Sequence, residues 1–284
     1  MLRINISFPS GHTQSLSLPH LATVRDLKIL AQKSLGKGFL KLVTDRGDVL
    51  ANVEDTLAGA GIQEGDYLTA IAQQPQLVAA RAAFALWCCG GNKVVTWGLP
   101  EWGGDSSAVQ DRLKNVQQVQ AGRFAFSAIL ADGSVVTWGH LDYGRDSSAA
   151  QDHLNLNNDK VQQIHATPYA FAAILADGSV VSWGDPEYGG DSSAVQDQLK
   201  NVQQVQATER AFATIRADGS VVAWGDREYG GDSSRVQHQL TNVQQVHATA
   251  RAFAAILADG SVVTWGHPSY GGDSSVVQDQ LLCM

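Results

Sequence analysis

Cysteine is scarce in this chain: three in 284 residues, with Cys88 and Cys89 adjacent and Cys283 beside the C-terminus. That excludes a disulfide framework and suits a reducing, intracellular compartment, cytoplasmic or nuclear. Long apolar runs are missing too. The longest, Leu77 to Gly91, is broken by Arg81 and falls short of the ~20 residues of a membrane span. The opening MLRINISF has no apolar signal core, so neither a membrane nor secretion is expected. No Gly-Lys-Ser/Thr phosphate loop or dinucleotide fingerprint occurs, and no cofactor is expected. Basic residues are in deficit beyond position 76, with 13 Lys/Arg against 21 Asp/Glu, whereas residues 1 to 76 hold seven of each. The whole net charge of -8 therefore sits on the larger part. Such a surface repels phosphate backbones and disfavours nucleic acid; basic or neutral protein surfaces fit it better.

What the chain has in abundance is repetition, which takes precedence over any local motif. Trp-Gly pairs begin at Trp97, Trp138, Trp183, Trp224 and Trp265, spaced by 41, 45, 41 and 41 residues. They divide positions 77 to 284 into five units, 77–118, 119–163, 164–204, 205–245 and 246–284, which use all 208 residues after position 76. Each unit reads as a strand such as VQQVQAT, a strand such as AFAAIL, the turn Ala-Asp-Gly-Ser, a strand such as VVTWG, and a polar return. Asp-Gly between apolar runs predicts a tight hairpin of type I′, with both central residues at positive φ. In that register Leu175 faces Val180, Ile174 faces Val181 and Ala172 faces Trp183. Both faces of the hairpin are then apolar and need covering. Sheets packed face to face around an axis, as in a propeller, supply that cover.

The return segment has the form Tyr-Gly-Gly-Asp-Ser-Ser-x-Val-Gln. Ser107, Ser148, Ser193, Ser234 and Ser275 each precede Gln110, Gln151, Gln196, Gln237 and Gln278 by three residues. Ser-x-x-Gln predicts a capping box and one short helical or 3₁₀ turn per unit. A nucleophilic serine is the rejected alternative, because five copies occur and no His recurs with them. His140 and His267 are equivalent to one another, as are His165 and His247, but they lie in different units and need not converge on a metal. CCGGN in the first unit replaces the Asp-Gly tip and reads as a degenerate edge repeat, with a redox-sensitive thiol as the alternative.

With these residues in hand, DGSVVxWG followed by x-x-x-Tyr-Gly resembles the repeat of the regulator-of-chromosome-condensation propellers. That repeat is shared by HERC-type ubiquitin ligases and, shortened, by β-lactamase inhibitory protein II. The resemblance implies a propeller used as a protein-binding platform. Two departures stand: segments such as ATERAF and ATARAF replace the family's Gly-Gly-x-His, and five units stand where relatives usually have about seven. Both count against nucleotide exchange on a small GTPase and leave ring closure open, including closure by a second chain.

In residues 1 to 76, LRINISF and QSLSL alternate like two strands around a Ser-Gly-His turn. A helix follows, with a Thr23/Asp26 capping box and Val24, Leu27 and Ala31 on one face. KLVTD, DVL and YLTAIA supply further strands, a β-grasp order. With the spacing of DTLAGAGIQEGDYLTAI, this part looks like ubiquitin. The resemblance implies an apolar recognition patch at Pro9, Val43, Thr69 and Ile71, with Thr69 where ubiquitin has a His. No di-Gly tail follows; the chain reads AQQPQ and continues into the repeats. A plain β-grasp packing module is the alternative.

The expected fold is therefore mainly β: a five-unit β-propeller, closed or open, of short antiparallel blades, preceded by a small α+β ubiquitin-like β-grasp domain at 1–76. The expected function is a non-catalytic, protein-binding adaptor. Its specificity is assigned to the residues after each Trp-Gly, which differ while the frame stays fixed. These are Leu99, Pro100 and Glu101; His140, Leu141 and Asp142; Asp185, Pro186 and Glu187; Asp226, Arg227 and Glu228; and His267, Pro268 and Ser269. The alternative is an accessory or fragment of a HERC-like ligase system, with ubiquitin-pathway partners and no catalytic domain of its own.

Overall fold

The computed structural model describes residues 1–88, 93–144, 146–147, 160–277 and 280. The chain divides into two compact units, Met1–Gln76 and Leu77–Met284.

In the first unit β1 (Leu2–Ser7) and β2 (Thr13–Leu18) form a hairpin, followed by helix α1 (Val24–Leu35), β3 (Phe39–Thr44) and β4 (Tyr67–Gln73). The sheet order is β2-β1-β4-β3, with β1 and β4 parallel and the other pairs antiparallel. Thr23 caps α1 in a full capping box with Asp26, and Gly36 in the left-handed conformation ends it. Val24, Leu27 and Ala31 are buried against Ile4, Ile6, Leu42, Leu57, Leu68 and Ala70. DVL does not form a strand. Val49 makes an isolated bridge to Val43 and Leu50 N–H donates to Leu42 O, but Ala51 N–H then turns back to Val49 O and the pairing ends there.

From Pro75 onward the described residues form five three-stranded sheets in chain order. Sheet one is Pro75–Ala79, Ala83–Cys88 and Val94–Gly98; sheet two is Val116–Ala121, Ala125–Leu130 and Val135–Gly139. Sheet three is Val161–Ala166, Ala170–Leu175 and Val180–Gly184; sheet four is Val202–Ala207, Ala211–Arg216 and Val221–Gly225. Sheet five is Val243–Ala248, Ala252–Leu257 and Val262–Gly266.

The hairpin register corrects the sequence expectation by one residue. Ile174 pairs with Val180, Ala172 with Ser182 and Phe171, not Ala172, with Trp183. The loop is three residues long, closed by Gly178 N–H to Leu175 O and Leu175 N–H to Ser179 O, both 2.9 Å. Only Gly178 has positive φ, at 80°, which makes a turn with a glycine bulge instead of type I′. The cause is Asp177, whose carboxylate accepts from the N–H and the hydroxyl of Ser179 at 2.8 and 2.6 Å and so stays out of the left-handed region. Asp132, Asp218 and Asp259 do the same with Ser134, Ser220 and Ser261.

This register puts large and small residues on opposite faces. Phe171 stacks on Trp183 with centroids 5.5 Å apart, and the same Phe–Trp pair recurs in every sheet. The other face carries alanines: Ala170 and Ala172 with Ile174 and Val180. Each large face packs on the small face of the sheet before it, so Phe212 and Trp224 of sheet four lie against Ala170 and Ala172 of sheet three. The pattern repeats between sheets one and two, two and three, and four and five. In sheets two to five the indole N–H of the Trp-Gly tryptophan is satisfied by the preceding repeat: Trp138 donates to Gly103 O, Trp183 to Gly144 O, Trp224 to Gly189 O and Trp265 to Gly230 O, at 2.9 to 3.1 Å.

Candidate functional site: the turns after Trp-Gly

Each third strand ends in a glycine at positive φ, for example Gly184 at 105°, where a Cβ would strike the carbonyl of Tyr169. The chain then enters a 3₁₀ turn: Pro100–Trp102, Leu141–Tyr143, Pro186–Tyr188, Arg227–Tyr229 and Pro268–Tyr270. The three residues singled out after each Trp-Gly are the cap and first two positions of that turn, which sorts them by task. Asp185 and Asp226 are caps; their carboxylates accept from the N–H of Glu187 and Glu228 at 3.0 and 2.9 Å. Pro100, Pro186 and Pro268 sit where the helical turn needs no N–H. His140 and His267 take the cap position without capping. Their rings pack on Tyr143 and Tyr270, and each Nδ1 is buried with no partner among the described residues. Leu99, Glu101, Leu141, Asp142, Glu187, Arg227, Glu228 and Ser269 are exposed. Among the described residues no group of three His, Cys, Asp or Glu converges as metal ligands.

The return segment lies beside these turns. Its expected capping box is replaced by a different device. Asp105, Asp191, Asp232 and Asp273 accept from the N–H of Ser107, Ser193, Ser234 and Ser275 at 2.8 to 2.9 Å. Gln110, Gln196 and Gln237 reach instead to the strand, donating to Val94 O, Val180 O and Val221 O at 2.6 to 2.9 Å. They also bond the hydroxyl of the first Ser of each pair, Ser106, Ser192 or Ser233. The aspartate is the better acceptor for the exposed N–H, which frees the glutamine to satisfy a strand carbonyl. Ser148, Gln151 and Gln278 lie outside the described residues.

Between consecutive repeats these parts enclose clefts of about 540, 630 and 730 Å³. Pro100 and Glu101 line the first with Asp146 of the next repeat; Leu141 and Asp142 line the second with Pro186 and Asp191. Arg227 and Glu228 line the third with Pro268 and Asp273. Hydrogen bonds from Ser107, Ser193, Ser234 and Ser275 hold Asp105, Asp191, Asp232 and Asp273 below the ordinary carboxylate pKa, so each rim carries carboxylates; Arg112 in the first cleft and Arg227 and Arg235 in the third offset part of that charge. Trp138, Trp183 and Trp265 form part of the floors, beside return-segment serines such as Ser106, Ser192 and Ser233.

A second feature was not read from the sequence. Aromatic residues of the 3₁₀ turns join those between the first and second strands in a ladder. Trp102, Phe124, Tyr169 and Tyr188 meet in succession, the first pair edge-on and the next two tilted, with centroids 4.5, 5.3 and 4.2 Å apart. Arg210 then lies between Tyr188 and Tyr229, at 4.5 and 4.9 Å, and Arg251 between Tyr229 and Tyr270, at 4.8 Å from each. Thr167, Thr208 and Thr249 position the tyrosines by donating to Tyr188 O, Tyr229 O and Tyr270 O at 2.9 to 3.1 Å. The available signal was the recurring Tyr-Gly and the residue just before each Ala-Phe.

In the first unit Val43 pairs with Thr69, and Ile71 lies two residues further along the same face of β4. This face is opposite buried Leu42, Leu68 and Ala70, and Pro9 is exposed in the β1–β2 turn. Cys88 is a free, half-buried thiol whose pKa burial pushes up, away from thiolate reactivity; Cys89 lies outside the described residues.

No protein-family model matches the chain, and no curated protein matches it. Among solved structures it is similar to human WBSCR16, at 18% identity and a TM-score of 0.45, covering 70% of this chain and 65% of that one. It is also similar to yeast RCC1 (Prp20) in a complex with Kap60, at 20% identity and a TM-score of 0.41, covering 54% and 43%. A third is the CRINKLY WD40 ectodomain of the Arabidopsis thaliana receptor kinase ACR4, at 20% identity and a TM-score of 0.41, covering 67% and 62%. The chain spans less than two thirds of each of these structures, and all three are loose likenesses in fold.

Proposed function

We propose that the chain is a non-catalytic protein-binding adaptor in which a propeller-like array of five repeats is the platform and a ubiquitin-like first unit is a docking module. The observation that carries this is the row of clefts between repeats. A fixed frame presents exposed side chains that differ from copy to copy, over floors built partly of tryptophan and with carboxylates at every rim. Such clefts suit segments that offer basic and apolar side chains together. The ubiquitin-like reading draws on the mixed sheet, the single helix and the shared face of Val43, Thr69 and Ile71. Association with ubiquitin-pathway machinery rests on that resemblance and on the HERC-like repeat.

The test uses the full chain as bait in cell extract, beside a variant carrying Glu101→Lys, Asp142→Lys, Glu187→Lys and Glu228→Lys. All four side chains are exposed and none is a cap. A partner of the clefts should lose at least about tenfold in affinity, equivalent to ~1.4 kcal/mol. Ile71→Asp should leave that partner bound and release any partner of the first unit. Capture that neither change affects defeats the adaptor reading.

A further inference from the structure

Four packed sheet-to-sheet interfaces recur in the second unit, and each joins a small face to a large one. The two outermost faces of this array are the unmatched halves of the same interface. On sheet one, Leu77, Phe84, Val95 and Trp97 are 57, 40, 46 and 44% exposed. Their equivalents in sheets two to five are all buried, none more than 7% exposed. Phe84 already stacks on Trp97 at 5.2 Å, as in the buried pairs, so the large face is preformed. On sheet five, Ala254, Ile256 and Val262 are half-buried, whereas Ala172, Ile174 and Val180 of sheet three are buried.

The glycines give an independent sign. At Gly103, Gly144, Gly189 and Gly230 a Cβ would collide with the Phe ring of the following sheet; at Gly271 it would meet nothing within 4 Å. Gly271 is thus the socket for a Phe and the carbonyl for a Trp, and Phe84 and Trp97 are a Phe and a Trp with no preceding sheet. Main-chain bonds follow the same logic. Arg81 N–H donates to Arg123 O, and Glu209 N–H to Ala250 O, at 3.0 and 2.9 Å, which leaves Arg81 O and Ala250 N–H as the corresponding donor–acceptor pair across the open faces.

We infer that sheet one of one copy docks on sheet five of a second copy, making a head-to-tail contact that continues the four interfaces inside the chain. The occupant is a second copy because Leu77, Phe84, Val95 and Trp97 reproduce the residue types that fill this face elsewhere: Leu, Ile or Val, then Phe, Val and Trp. The contact is heterologous, so it propagates or closes according to the rotation per copy. It is independent of the clefts and of the adaptor reading.

Sedimentation velocity of the full chain over a micromolar to millimolar series tests it, with circular dichroism checking that the variants fold. Wild type should associate as concentration rises. Trp97→Arg and Ala254→Glu, one on each open face, should each sediment as a monomer. Mixing the two variants should restore a single complementary pair of faces and give a 1:1 dimer that grows no further. A wild-type chain that stays monomeric throughout overturns the inference, whether its end faces stay open or close on each other within one chain. Association unaffected by either variant, or a mixture that stays monomeric, overturns it as well.

Discussion

Trp183 and Trp97 occupy the same place in the repeat and differ in their neighbours. Trp183 is buried on sheet two with its indole N–H bonded to Gly144 O; Trp97 is nearly half-exposed. Trp183→Ala should therefore cost ~3 to 5 kcal/mol, and Trp97→Ala about 1 to 2 kcal/mol, since only part of its area is buried. Urea denaturation of the two variants measures both, at low concentration where copies stay apart. The role of tryptophan as filler between sheets was legible from its spacing. Its partner was not, because Asp-Gly alone does not distinguish a two-residue loop from a three-residue one. The deciding residue is the serine after the glycine. Its hydroxyl and N–H both engage the aspartate, and that shifts the register by one, setting Phe171 opposite Trp183.

At the scale of the element, two kinds of aspartate turn recur along the repeats, each seen at four places. Asp132, Asp177, Asp218 and Asp259 are held below their ordinary pKa by the Ser hydroxyl and N–H two residues on, as are Asp105, Asp191, Asp232 and Asp273 in the return segment. A carboxylate whose pKa is lowered on folding contributes stability that is full above its unfolded pKa, about 3.9, and lost as the pH falls through the folded one. The urea midpoint should hold steady from neutral pH down to about 5 and decline below about 4. Asp177→Asn with Asp218→Asn and Asp259→Asn should make that decline shallower, because an amide still accepts the bond but does not titrate. The glutamine brace is a separate matter. Gln237→Ala leaves Val221 O without its donor and should cost about 1 kcal/mol, read from the same denaturation curves. From sequence the Ser-x-x-Gln spacing announced a turn correctly, but the hydroxyl was assigned a bond that the neighbouring aspartate makes. α1 was legible in full, cap and buried face together, because all its signals are local.

Along the array of sheets, stability is passed from neighbour to neighbour, since each of sheets two to five buries its large face against the one before it. Sheets two, three and four are covered on both faces, whereas sheets one and five are each covered on one. Amide hydrogen exchange should be slowest in Ala125–Leu130, Ala170–Leu175 and Ala211–Arg216 and faster in Ala83–Cys88. Equal protection in all five second strands would contradict this ordering. The array was legible in the sequence because Trp-Gly marks every copy and Asp-Gly all but the first. The aromatic and arginine ladder was not, because its members come from two different loops and meet only when consecutive repeats stack. Val43, Thr69 and Ile71 share a face for a simpler reason, strand alternation, which the sequence does display.

Equivalent interfaces also make the repeats interchangeable in the gene. Excising residues 205–245 joins Gln204 to Val246 and leaves the strand reading VQQVHA, as sheet five reads now. Sheet three would then present Ala170, Ala172 and Ile174 to Val246, Phe253, Val263 and Trp265, which match Val205, Phe212, Val222 and Trp224 type for type. The indole of Trp265 would find Gly189 O in place of Gly230 O. Unequal recombination between tandem copies can thus shorten or lengthen the chain by one sheet at a time, each product inheriting properly matched surfaces at the new joint.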